Sequence, residues 1–109
     1  MGEGRPVPPT RVLMIDLDLV VDEWWLQNYR RMAKLVLEYY GLRATAIRIT
    51  PSQNKGYHAR IRLDKPVPPS FANMLQWLLL DDHGRVDFNR ARIEVGFDEW
   101  DKFFEGPRA

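Results

Sequence analysis

A β-rich run, ATAIRIT over 44–50, is followed by PSQNKG over 51–56 and then by YHARIRL over 57–63. The Pro, Ser, Asn and Gly of the middle piece mark a turn. The last piece alternates without a break: Tyr57, Ala59, Ile61 and Leu63 face one way, and His58, Arg60 and Arg62 the other. Period-two alternation is the mark of a strand with one buried and one wet face. Two strands joined by so short a turn pair antiparallel, because a parallel pair needs a crossover of about a dozen residues or more. The hairpin therefore argues against a doubly wound parallel sheet and for an α+β fold.

The flanking segments complete the pattern. RVLMIDLDLV over 11–20 reads as a first strand. Asp22 can cap a helix, and Trp25, Tyr29, Met32, Ala33, Val36, Leu37 and Tyr40 then recur at three and four up to Gly41, a natural stop. After DKPVPP breaks the chain, Ser70 can cap a second helix that buries Phe71, Met74, Leu75, Leu78 and Leu79, and DDHG ends it. RVDFNRARIEVG over 85–96 is expected to hold a fourth strand, and FDEWDKFFE over 97–105 a short final helix. The order β-α-β-β-α-β is that of ferredoxin-like and RRM-like domains, with two helices on one sheet face and the other face open. The Pro/Gly-rich MGEGRPVPPT over 1–10 reads as a flexible leader, and 11–109 as one domain.

Alternation then sorts the side chains. Leu13, Ile15, Leu17 and Leu19 turn toward the helices; Met14, Asp16 and Asp18 turn to the open face. With the first and third strands adjacent, as in that fold, Asp16, Asp18 and His58 converge beside Arg48 or Thr50. A carboxylate in an apolar strand is costly unless something pairs with it. Two carboxylates about 7 Å apart on one face can hold one or two hard divalent cations. The plainer reading is a pair of solvated strand carboxylates.

Charge supports an anionic partner. The net charge is only +1, but Arg43, Arg48, Lys55, Arg60, Arg62 and Lys65 stand against Asp64 alone in the middle of the chain. Glu94, Asp98, Glu99, Asp101 and Glu105 stand against Lys102 at its end. No apolar run reaches the roughly 18–20 residues of a membrane span. There is no secretory h-region and no cysteine, so a cytoplasmic protein without disulfides or thiolate ligands is expected.

In chain order the polar residues form D-x-D (Asp16, Asp18), S-x-x-K-G-Y-H (Ser52 to His58) and V-D-F-N-R-A-R (Val86 to Arg92). This set resembles the catalytic core of the archaeo-eukaryotic primase superfamily, above all the primases of plasmid and viral replication proteins. The resemblance spans residues 12–93. It implies a metal-dependent nucleotidyltransferase acting in nucleic-acid replication or repair, with nucleotides and a single-stranded or template nucleic acid as partners. Asp16, Asp18 and Asp87 would be the catalytic carboxylates holding Mg²⁺ or Mn²⁺. Ser52, Lys55 and His58 would bind the nucleotide phosphates. Arg48, Arg60, Arg62, Arg90 and Arg92 would bind the triphosphate or the template. Family enzymes add further lobes to this core, so a larger replication subunit is an expected partner.

Three other readings stand beside it. A binding-only RRM-like module would use the arginines, although Asp16, Asp18, His58 and Arg60 occupy places where base-stacking rings usually sit. A small phosphatase of the haloacid-dehalogenase type would take DLDLV as its D-x-D-x-V opening, with Asp16 as nucleophile, Thr50 in a second motif and LLLDD as a late acidic pair. A structural subunit of a replication assembly would use exposed tryptophans as its contact. Asp81, Asp82 and His83 read as a helix end and loop, since a metal site there needs a ligand from elsewhere.

Overall fold

The computed structural model describes residues 7–53, 55–96 and 98–101. The elements are β1 (Thr10–Leu17), α1 (Glu23–Tyr39), β2 (Ala44–Pro51), β3 (Tyr57–Val67), α2 (Pro69–Leu78) and α3 (His83–Glu94). The chain is an α+β domain whose antiparallel sheet has the order β1-β3-β2. The hairpin β2–β3 is as the turn and alternation predict; β3 is central and beside β1 as the ferredoxin-like pattern implies, but β1, expected at the centre as well, stands at one end of the described sheet.

One sheet face is buried. Leu13, Ile15 and Leu17 of β1 and Ala59, Ile61 and Leu63 of β3 join Tyr29, Ala33 and Leu37 of α1 and Ala72 and Leu75 of α2 in a single core. Burial of such apolar area is the main source of stability, roughly 25 cal/mol per Å². Asp22 caps α1, its carboxylate accepting from Trp25 N at 2.9 Å. Gly41, at φ 75°, turns the chain out of that helix. Tyr29 Oη donates to Leu79 O at 2.8 Å and ties α1 to the end of α2.

Several boundaries differ from the expectation. β1 ends at Leu17, so Asp18 lies beyond the strand and its direction is not set by alternation. β3 runs through DKPV to Val67, absorbed by a register shift: Val12 pairs with Arg62 but Thr10 with Val67. α2 has Pro69 in its first turn and no side-chain cap, so Ser70 does not cap it. Its end is made by Leu80, in a left-handed conformation at φ 76°, not by DDHG. DDHG instead starts α3, where Asp82 accepts from Arg85 N at 3.1 Å.

The largest correction is the fourth strand. Residues 85–96 belong mostly to α3. The apolar pattern misleads because α3 turns Arg85 and Asn89, four residues apart, into the interior. A helix with a polar inner face has no apolar stripe to detect. Of the final helix expected over 97–105, residues 98–101 are turn and irregular backbone, and 97 and 102–105 lie outside the described residues. Residues 1–6 of the expected leader also lie outside them, and Thr10 already belongs to β1.

Side chains do the work of the missing strand. The outer edge of β1 presents the N–H groups of Met14 and Asp16 and the carbonyl of Met14. Met14 N donates to Gln76 Oε1 at 3.0 Å, and Asp16 N to Asp81 Oδ1 at 2.8 Å. Arg85 Nη1 donates to Met14 O at 2.8 Å. Arg85 is 0% exposed and is neutralised by Asp81 at 2.7 Å and Asp101 at 2.6 Å. Backbone polar groups at a covered edge need partners, and α2, the turn after it and α3 supply them, with Asp101 holding Gln76 and Arg85 in place.

Candidate functional site

The open face follows from the register. Asp16, His58 and Thr50 lie abreast across β1, β3 and β2; Met14, Arg60 and Arg48 form the next row, and Val12, Arg62 and Ala46 the third. Arg48, Arg60 and Arg62 are exposed. The face is thus a basic surface with a carboxylate and an imidazole at one end. No aromatic ring stands on it in β1 or β3, unlike an ordinary RRM.

Asp16 Oδ1 is 3.9 Å from His58 Nε2, with side chains 24% and 14% exposed. Burial pushes the Asp16 carboxyl above its usual range; His58 and Arg85 oppose this, and Asp82 and Asp18 add to it. Asp16, Asp18, Asp81, Asp82 and His83 line one hollow of about 340 Å³ at the end of β1, flanked by Leu19 and Leu80. Asp81 is engaged by Arg85, and Asp82 is both the cap of α3 and a further carboxylate beside the D-x-D. Alternation could not reveal it, because the left-handed turn at Leu80 folds DDHG back toward β1.

The turn before β3 is locked to this end of the sheet. Ser52 N donates to Gly56 O at 3.0 Å, and Ser52 Oγ to Lys55 O at 2.7 Å. Lys55 is exposed. Gly56 sits at φ 87° against the exit of β1: a Cβ built there would run into Leu17 O and crowd Leu19 N at 3.0 Å. Tyr57 Oη donates to Val21 O at 3.4 Å across the same seam. The K-G-Y-H segment and the D-x-D segment are packed as one unit, and only glycine fits their contact.

The third motif is not brought to the face. Asp87 lies on α3, its side chain 72% exposed and 3.4 Å from Arg90. Asp87 and Arg90 line a separate groove of about 640 Å³ between α2 and α3. Arg92 Nη1 donates to Trp100 O at 3.3 Å, a role in the fold. Among the described residues, no group of three or more His, Asp or Glu could hold a metal alone. The expected Asp16–Asp18–Asp87 cage is therefore not assembled. Asp16 and Asp18 do share one hollow, which fits a different mode of binding. Mg²⁺ is commonly held by one or two carboxylates together with substrate phosphates, not by an all-protein cage.

The antiparallel sheet is not the doubly wound, parallel sheet that the phosphatase alternative implies. No helix among the described residues is long and apolar enough to cross a membrane. No protein-family model matches the chain, and no curated protein or solved structure matches it.

Proposed function

We propose that this chain is a nucleic-acid-handling core of the primase type, which binds strand phosphates on its open face and acts on nucleotides at the Asp16–His58 end. The observation that carries the reading is the register of β1, β3 and β2, which sets a carboxylate–imidazole pair at the end of a surface where Arg48, Arg60 and Arg62 are exposed. Arg48, Arg60 and Arg62 would follow a phosphodiester backbone. His58, with Lys55 and Ser52 on the adjoining turn, would steady the nucleotide phosphates. Asp16 and Asp18 would hold Mg²⁺ or Mn²⁺ arriving with the nucleotide. The ion would align the reacting oxygens and neutralise charge in nucleotidyl transfer. Asp82 lines the same hollow and would add its negative charge to the field that the nucleotide-borne cation meets, without completing a three-carboxylate cage.

The test combines binding and synthesis. Calorimetry with Mn²⁺ and a nucleoside triphosphate should give a heat that Asp16→Asn/Asp18→Asn abolishes. Fluorescence anisotropy with a single-stranded oligonucleotide should show salt-dependent binding. Changing Arg48, Arg60 and Arg62 together to Ala should reduce the log–log salt slope by about 2, at ~0.7 per phosphate contact. Salt-independent binding, or a slope untouched by the triple variant, would sink the proposal. A second reading, binding without catalysis, is favoured by the remote place of Asp87. It predicts strand binding with no incorporation of labelled nucleotide on a primed or unprimed template, and retained affinity in the double Asn variant.

A further inference from the structure

The sheet has two edges, and they are treated differently. Polar side chains saturate the outer edge of β1. β2 is the other edge, since its one neighbour is β3. β2 is eight residues long and carries a single charged residue, Arg48. A long edge strand of Ala, Thr and Ile is a template for strand pairing unless something blunts it. Pro51, which lacks an N–H, blunts only its last position.

What lies along that edge indicates its partner. Arg30 Nη1, from α1, donates to Ile47 O at 2.9 Å, so the backbone polar groups of Ile47 point away from β3. By period two, those of Ile49 do the same. Arg30 and Lys34 line a hollow of about 190 Å³ with Ala44, Thr45, Ala46 and Ile47. Its lining is basic and apolar, with no carboxylate. Arg48 adds a third cation on the opposite face of the strand. The carboxylate near the start of β2, Asp64, is already engaged by Arg43 N at 3.0 Å. A second copy paired edge to edge would bring this basic rim against itself, and like charges across a shared edge oppose pairing.

We propose that the β2 edge binds an extended acidic peptide segment of a partner protein by strand addition. The peptide backbone pairs with Ile47 and Ile49. Its acidic side chains meet Arg30 and Lys34 on one side and Arg48 on the other. Arg30, which now covers Ile47 O, exchanges that carbonyl for a peptide carboxylate, so the same residue shields the empty edge and recognises the partner. The surface is separate from the Asp16 hollow, and the inference holds whether or not the chain is a nucleotidyltransferase.

The test uses the full chain and a synthetic peptide as long as β2, alternating Glu with Val or Thr, and a control with Lys in place of Glu. Fluorescence anisotropy should show binding of the acidic peptide, weakened by salt, and at least about tenfold weaker binding by Arg30→Glu/Lys34→Glu. These two residues are on the helix surface, and circular dichroism verifies that the variant is folded. Hydrogen exchange should show the Ile47 and Ile49 amides protected when the acidic peptide is added. Ile49→Pro, which removes an outward donor but no bond to β3, gives up part of the packing of Ile49 against the core and should lose binding in protein that circular dichroism shows to be folded. Equal binding of the Lys control, no change in those amides, or full affinity in the charge-reversed variant would overturn the proposal. So would protection of the same amides by self-association, seen as a dimer in sedimentation, or by an oligonucleotide instead of the peptide.

Discussion

Replacing Arg85 by Met should strongly destabilise this protein, although Arg85 is wholly buried behind the edge of β1 and its side chain is not on the open face. Its acceptors include Met14 O at 2.8 Å, Asp81 at 2.7 Å and Asp101 at 2.6 Å. Met matches its volume and keeps the helix, so the change isolates charge and hydrogen bonding. It leaves two buried carboxylates without their cation and the Met14 carbonyl without its donor. Breaking a buried pair in this way costs about 3–5 kcal/mol. A domain of this size holds only about 5–15 kcal/mol in total. At roughly 4–8 °C per kcal/mol, the midpoint should fall by about 12–40 °C. Thermal and urea unfolding followed by circular dichroism measures this. Arg85→Lys should recover part of the loss, because one ammonium cannot span the acceptors that a guanidinium fork reaches. A midpoint within about 3 °C of wild type for Arg85→Met would refute the idea that this network replaces a fourth strand.

Other changes probe the same framework. Burial raises Asp81 from 3.8 to about 6 against the pull of Arg85. An acid whose folded pKa is raised binds its proton more tightly in the folded state. Its contribution is therefore most favourable below 3.8 and falls as the pH rises to about 6. Two units correspond to about 3 kcal/mol. Asp16 and Asp101 shift the same way, and exposed Asp64, lowered by the Arg43 N–H, the opposite way. Urea midpoints should decline across that window, and a rise would contradict the assignment. Gly56→Ala should cost at least about 1–2 kcal/mol from the left-handed backbone alone. It should also move the amide resonances of Leu17 to Leu19; an unshifted spectrum would show that the turn and β1 are not locked together. Asp82→Ala should cost about 0.5–2 kcal/mol as a lost cap. The same variant should weaken Mn²⁺–nucleotide binding, and calorimetry separates that effect from the stability loss. Leu80→Gly relieves a left-handed leucine and should leave the unfolding midpoint unchanged or higher.

Periodicity alone placed β1, α1, the β2–β3 hairpin and α2, because their buried faces are apolar and repeat at two or at 3.6 residues. It also put His58, Arg60 and Arg62 on one face, since a strand's alternation is a local property; Asp16 joined them only through the adjacency of the first and third strands taken from the ferredoxin-like pattern. Three things lay beyond such reasoning. α3 buries Arg85 and Asn89, so its inner face reads as surface. Asp82 reaches the Asp16 hollow through a left-handed leucine that no sequence rule anticipates. Gly56 is required by the carbonyl of a residue far away in the chain, not by its own turn alone.

Local pattern therefore determined β1, α1, the β2–β3 hairpin and α2, and which side of its own strand each residue of β1 and β3 takes. Only the tertiary structure decided how the exposed edge of β1 is closed, which further carboxylates join Asp16 and Asp18, and where Asp87 goes. The physical reason is that alternation reports the side of an element that meets apolar neighbours. A buried charge, a hydrogen bond to a distant backbone group and a close backbone approach have no such repeat, and they exist only once the elements have been brought together.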